Sequence, residues 1–231
     1  NGDYLSGSIL EWVIIEYGGG GSTSTGSVTL NNATPYIVDT EVRLSARTGI
    51  RGQDLSVATG LRVERCTFTN NTPTGQAGGG LYLDGGTNHT IIDCVFTNNS
   101  TNNNGGGIYI IGATNVSIGG TDLLTNSAAN GGGLYSVNVV GLSIDDTAFS
   151  GNTASNYGGF YHTGNTLAVA NVTVSGNTVT ADYGGAYLQS NNGTMQSSTG
   201  TRNAAAHNTG CAASIAGRNS NLTTPRTSNK Q

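Results

Sequence analysis

Apolar residues in this chain recur in two short phrases rather than along one helical stripe. The first phrase reads apolar-x-x-small-x-apolar-x-x-Asn. It occurs as Val63/Cys66/Phe68/Asn71, Ile91/Cys94/Phe96/Asn99, Ile118/Thr121/Leu123/Asn126, Ile144/Thr147/Phe149/Asn152 and Val169/Val172/Val174/Asn177. The second phrase is Gly-Gly-x-Tyr, ending at Tyr82, Tyr109, Tyr135, Tyr161 and Tyr187, which lie 27, 26, 26 and 26 residues apart. A weaker copy of the first phrase stands at Ile37/Thr40/Val42/Ser45, and a distant one is assigned to Ile9/Trp12/Ile14/Tyr17. A degraded copy puts Asn203 in the Asn column and Gly210-Cys211-Ala212-Ala213 in the Gly-Gly-x-Tyr place.

Alternation of period two inside each phrase predicts short strands, and the intervening Gly and Asn predict turns. Neither strand buries its apolar face alone, whereas stacked copies share one continuous core. The expected fold is therefore all-β: a right-handed parallel β-helix, a solenoid of about eight coils of roughly 26 residues. It is expected to span residues 1–215, with 216–231 as a polar extended C-terminal tail. Seven steps at the strand spacing of about 4.8 Å make a rod body about 34 Å long.

Two columns carry most of the candidate chemistry. Asn71, Asn99, Asn126, Asn152, Asn177 and Asn203 fall in one column, where each amide is expected to donate to the next and accept from the previous. The tyrosines Tyr82, Tyr109, Tyr135, Tyr161 and Tyr187 alternate with Leu81, Ile108, Leu134, Phe160 and Ala186. If the smaller apolar column faces inward, the tyrosines form an outward ladder able to stack on itself, bind sugars or meet a neighbouring rod. If the parity is reversed, they are core.

Composition narrows the function. Charged residues make up 10% of the chain, and no Lys or Arg occurs between Cys66 and Thr201. A nucleic-acid binder needs a basic face to displace counterions, so nucleic acid is excluded as a partner. No apolar stretch approaches the roughly 20 residues of a transmembrane segment. The three cysteines Cys66, Cys94 and Cys211 match no zinc or CxxC spacing, and His89, His162 and His207 lie in different columns, so no metal or cofactor is expected. Cys66 and Cys94 share an inward column within disulfide reach, but their parallel Cβ vectors favour buried free thiols over a bridge, with Cys211 elsewhere. Glu11, Asp39, Asp93 and Asp146 are expected to share an outward column, with Arg65 between Asp39 and Asp93. They suit solvated charges and one cross-rung ion pair better than a hydrolase's convergent carboxylates. No catalytic residue is assigned.

The motifs Gly106-Gly107-Ile108, Phe68-x-x-Asn71, Phe96-x-x-Asn99 and Phe149-x-x-Asn152 resemble the repeated GGA[ILV] and FxxN motifs of chlamydial polymorphic outer membrane protein passenger domains. The third position departs, since Gly-Gly-Gly-Leu/Ile-Tyr replaces Gly-Gly-Ala in most coils. The resemblance covers roughly residues 8–215 and implies an extracellular or cell-surface protein with an adhesive or scaffolding role. The expected function is a non-enzymatic structural rod, the alternative being a carbohydrate-binding or carbohydrate-active β-helix. Residues 1–40 hold four acids and no base, and residues 183–231 four bases and no acid. Head-to-tail self-association is therefore expected beside surface or glycan partners, the equal alternative being part of a longer surface passenger whose caps lie outside these residues. Of nine N-x-S/T sequons, Asn32, Asn88, Asn115, Asn171, Asn192 and Asn221 are candidate glycosylation positions. Asn99, in the amide column, should stay bare.

Overall fold

A computed structural model describes residues 7–19, 24–55, 60–205, 213–216 and 219–223, the last two by backbone only. The described strands form three parallel sheets of fourteen, eight and four strands. Each strand pairs with its counterparts one coil away. Val95–Thr97, for example, lies between Thr67–Thr69 and Asp122–Leu124, with Phe96 opposite Phe68 and Leu123. The eight rungs of the second sheet bound about seven turns of a solenoid with coils near 26 residues. The first sheet is built from two strands per coil in the early turns. These fuse later into the long strands Leu134–Asp145, Phe160–Ala170 and Ala186–Gln196.

The core is a set of inward columns. Ile37, Val63, Ile91, Ile118 and Ile144 line one, and Val42, Phe68, Phe96, Leu123 and Phe149 another, all fully buried. Phe68 and Phe96 stack with centroids 4.4 Å apart. Between these columns runs a third of small residues. Thr40, Cys66, Cys94, Thr121, Thr147 and Ser198 each donate a hydroxyl or thiol to the carbonyl two residues earlier, at 2.8–3.2 Å. That bond spans the turn residue, which at Asp39, Arg65, Asp93 and Asp146 is left-handed (φ 47° to 53°). Asp and Asn tolerate this conformation better than other side chains. The cysteines thus act as hydroxyl equivalents; both are free and buried, and the hydrogen bond with the Cys66 thiol, together with burial, pushes Cys94 well up. Cys211 lies outside the described residues.

The Gly-Gly pair answers a close approach. A Cβ on Gly132 would sit 2.6 Å from both the Gly158 and Thr153 carbonyl oxygens, and rung-on-rung stacking leaves no room to retreat. Glycine there is a steric requirement.

Two expectations are corrected. The first coil is shifted by one residue: Leu10 pairs with Ile37 and Ile15 with Val42. Ile9, Trp12, Ile14 and Tyr17 accordingly point outward, at 53, 77, 60 and 73% exposure. A slip of one residue moves a whole strand's side chains to the other face, and the run Ile9-Leu10 followed by Val13-Ile14-Ile15 is apolar in either register. The same slip removes Glu11 from the acidic column, because it pairs with Val38 rather than Asp39. At the other end, Asn219–Thr223 pairs with Asn192–Gln196, so the solenoid continues beyond residue 215 into the predicted tail. Its single leucine gave little apolar signal, while the pairing is made by backbone.

Candidate functional site

The Asn column is fully hydrogen-bonded. The Asn71 side-chain nitrogen donates to the Asn99 oxygen at 2.9 Å, and the same bond repeats from Asn99 to Asn126, Asn152, Asn177 and Asn203 at 2.8–3.1 Å. Each oxygen also accepts the preceding rung's backbone N–H, as from Asn99 to Asn126 at 3.0 Å. The second hydrogen of each amide reaches a carbonyl one coil back, for example from Asn126 to Phe96 at 2.9 Å. Asn71 to Asn177 have no solvent exposure. With its donors and acceptors engaged inside the wall, this column has nothing left for a ligand.

The tyrosine column faces outward, because Leu81, Ile108, Leu134 and Phe160 on the alternate positions are fully buried and Ala186 nearly so. Tyr82, Tyr109, Tyr135, Tyr161 and Tyr187 are half-buried. Successive rings stack at 5.2, 5.7, 4.5 and 5.4 Å and within 14° of parallel. Self-stacking along the rod axis covers the ring faces, so solvent meets edges and hydroxyls. The Arg51 guanidinium closes one end, 3.8 Å above the Tyr82 ring. Burial raises the phenol pKa of Tyr82, Tyr109 and Tyr135.

Two features beside this ladder escaped the sequence reading. Tyr157 and Tyr183 replace the first glycine of the Gly-Gly-Gly run present in three earlier coils. They add a second aromatic column, with Tyr157 4.5 Å from Tyr161 and Tyr183 5.3 Å from Tyr187, tilted by 41° and 47°. Burial, with Tyr161 and Asp182 nearby, pushes Tyr157 up to about 12. Alongside lies a short amide ladder, in which Asn156 donates to Asn130 and Asn130 to Asn104, both at 2.8 Å. The signal was present as Asn-Gly-Gly-Gly, Asn-Gly-Gly-Gly and Asn-Tyr-Gly-Gly.

Charge concentrates in the early coils. Arg65 grips Asp39 through two bonds of 2.8 Å and also contacts Glu64. Glu64, unremarked in the sequence, is buried and takes bonds from Tyr36 at 2.8 Å and Arg62 at 2.7 Å. Burial would raise its pKa, but these donors and the Arg62 and Arg65 charges outweigh it and hold the carboxyl low. Hydrogen bonding to Arg65 lowers Asp39 likewise. The remaining members of the acidic column, Asp93 and Asp146, are separated by a rung occupied by Gly120. Among the described residues no group of three or more His, Cys, Asp or Glu is placed to hold a metal ion.

The histidines are core residues. His89 accepts from the Leu61 N–H at 3.2 Å and contacts the Gly85 carbonyl at 3.1 Å. His162 Nδ1 lies 2.9 Å from the Ser136 hydroxyl, while its buried Nε2 has no partner. Burial drives His162 down to about 4. His207 lies outside the described residues. Of the sequons, Asn32, Asn88, Asn115, Asn171 and Asn192 are exposed, Asn99 is buried, and the Asn221 side chain is not described. No described helix is long and apolar enough to cross a membrane.

No curated protein and no solved structure matches the chain. A family model described as a right handed beta helix region matches residues 4–123, just over half of the 231. With parallel rungs, coils near 26 residues and a continuous inward core, the chain belongs to the right-handed β-helix family.

Proposed function

We propose that this β-helix is a non-enzymatic, extracellular or surface-displayed rod with a structural or adhesive role. The observation that carries this reading is how the polar groups are used. The inward Asn column is saturated by bonds between coils, the Thr and Cys column by bonds to carbonyls two residues earlier, and the early-coil charges are engaged with one another. The likeness of the Gly-Gly and Phe-x-x-Asn copies to chlamydial surface passenger domains supports placement outside the cell. The acidic start and basic end of the sequence support head-to-tail association of copies, although Glu16 and Asp39 already pair with Arg43 and Arg65 within the rod.

Incubation with polyanionic and neutral polysaccharides tests the reading. No shortening of any chain is expected, and catalytic depolymerisation would overturn it. Light scattering across ionic strength should show association that weakens as salt screens the end charges. A second reading, glycan binding without catalysis, is favoured by the row of phenol hydroxyls beside the Asn104–Asn130–Asn156 ladder. Contact would be made through hydroxyls and ring edges, since the ring faces are covered. Saturable binding of a neutral glycan, lost on Tyr109→Phe and Tyr135→Phe together, would support it.

A further inference from the structure

We propose that the tyrosine block is a modification site, at which peroxide-driven oxidation joins neighbouring rings into dityrosine bridges, at Tyr157–Tyr161, Tyr157–Tyr187 and Tyr183–Tyr187. The proposal does not depend on what the rod binds.

Seven of the chain's ten tyrosines lie in this one block, and each ring is within 6.0 Å of another. One-electron oxidation of a phenol, with loss of the hydroxyl proton, leaves a radical whose spin is shared with the ring carbons beside the oxygen. Two such carbons must meet to form a bond. Isolated surface tyrosines meet only between molecules, whereas here the partners are prepositioned. The pairs are not equivalent. Along the main column the rings are nearly parallel and held a rung apart by the sheet, which keeps their edges from meeting. Tyr157 and Tyr183 instead lean into the column. Tyr157 is 4.5 Å from Tyr161 at 41° and 5.4 Å from Tyr187 at 47°, and Tyr183 is 5.3 Å from Tyr187 at 47°. The stacked column can pass an unpaired electron from ring to ring toward this corner.

The backbone shows how the extra ring is accommodated. In three earlier coils the position of Tyr157 is Gly78, Gly105 or Gly131, at φ between 63° and 72°. Tyr157 keeps that left-handed turn at φ 60°, as Tyr17, Leu44 and Thr125 do at other turns, so the ring is added to the corner without a change of backbone path. Cys66 and Cys94 are buried among the inward columns and offer this outward face no competing thiol.

The chemistry balances with hydrogen peroxide as oxidant, activated by a haem peroxidase. Two phenols each give up one electron and the hydroxyl proton. The ortho carbons form a carbon–carbon bond, and each ortho hydrogen moves to its oxygen to restore the two phenols. The two electrons and two protons reduce one peroxide to two waters.

Dilute full-length chain treated with peroxide and a haem peroxidase tests this, read by biphenol fluorescence, intact mass and mapping of cross-linked peptides. The expected product is a monomer lighter by two hydrogens per bridge, with bridges at the three tilted pairs. Tyr161→Phe with Tyr187→Phe keeps the rings but removes two phenols, and should cut bridge yield at least fivefold. Tyr17→Phe and Tyr36→Phe should leave it unchanged. The Tyr157–Tyr187 bridge links different coils, so oxidation after denaturation should abolish it. Bridges spread over all tyrosines, products mainly between molecules, or an undiminished yield in the Tyr161/Tyr187 double variant would each overturn the proposal.

Discussion

Replacing Asn126 with leucine cuts the buried amide ladder at its middle. The substitution removes the acceptor of two donors from Asn99, its backbone N–H and its side-chain nitrogen, both at 3.0 Å. It also removes the donor to the Asn152 oxygen at 3.1 Å and to the Phe96 carbonyl at 2.9 Å. Four hydrogen bonds at about 1 kcal/mol each sum to about 4 kcal/mol. Water cannot replace them, because Asn99, Asn126 and Asn152 are all inaccessible. Leucine's added apolar contact offsets part of this and orphaned groups add to it, so about 3–5 kcal/mol is expected, a large share of a typical stability. For a chain of this size that lowers the melting temperature by about 6–20 °C. Asn203→Leu provides the internal comparison. It accepts from Asn177 at 2.8 and 3.0 Å and donates to Val174, but it is partly exposed and water can substitute. Its cost should be about half or less. Circular dichroism melts of the two variants beside the parent chain decide the matter. An unchanged melting temperature for Asn126→Leu, or equal losses at both positions, would refute the ladder as a source of stability.

Four further outcomes follow from individual contacts and exposures. His162 is held neutral down to about 4 in the fold, against about 6.5 unfolded, so the unfolded chain binds the proton first as pH falls. Stability should therefore drop by up to about 3 kcal/mol between pH 6.5 and 4, with buried His89, also lowered, adding in the same sense; His162→Leu should flatten this slope in urea titrations at pH 7, 5.5 and 4.5. Below that window, protonation of Glu64 and Asp39, both lowered in the fold, should remove further stability as pH falls through their folded values. Gly132→Ala forces a Cβ against two backbone carbonyls and should cost about 1–3 kcal/mol in the same assay, where a neutral result would show that the rungs can spread. If the chain is made in a eukaryotic secretory pathway, glycopeptide mass spectrometry should find glycans at exposed Asn88 and Asn115 and none at buried Asn99.

Repetition is what made the fold legible. Five in-phase copies of two phrases set the register, while alternation alone left the tyrosines' face open, and the burial of Leu81, Ile108, Leu134 and Phe160 decides it. Where the repeat thins, so does the information. The first coil offers apolar residues on both faces, Leu10 and Ile15 inside but Ile9, Trp12 and Ile14 outside, and one copy alone cannot choose between two registers a residue apart. The Tyr157 and Tyr183 rings were hidden for the opposite reason, because they break a repeat. A substitution of Gly by Tyr in two coils reads as noise until the geometry brings the new rings against Tyr161 and Tyr187. The burial of Glu64 depends on Tyr36 from the adjacent rung and on Arg62 two residues earlier on its own strand, a grouping that spacing alone left unranked.

The two amide ladders show how the coil divides labour between wall and surface. In the buried ladder each side-chain nitrogen points to the following coil, whereas in the Asn104–Asn130–Asn156 ladder it points to the preceding one. Aligned amides polarise one another along a chain of hydrogen bonds, so each column behaves as a unit, and the opposed directions partly cancel their dipoles across the rod. In the later coils a change in the inner column breaks several bonds at once and a change in the glycine column meets a steric collision, whereas the early coil carries Ser45 and Thr48 in those places. What remains free to change is the outward residue of each rung: Arg51 then tyrosine on one face, and Asp39, Arg65 and Asp93 at one turn. Differences in function among coils must therefore be sought where the repeat is broken outward, and in this chain the breaks cluster at the exposed apolar first coil and the tilted tyrosine corner.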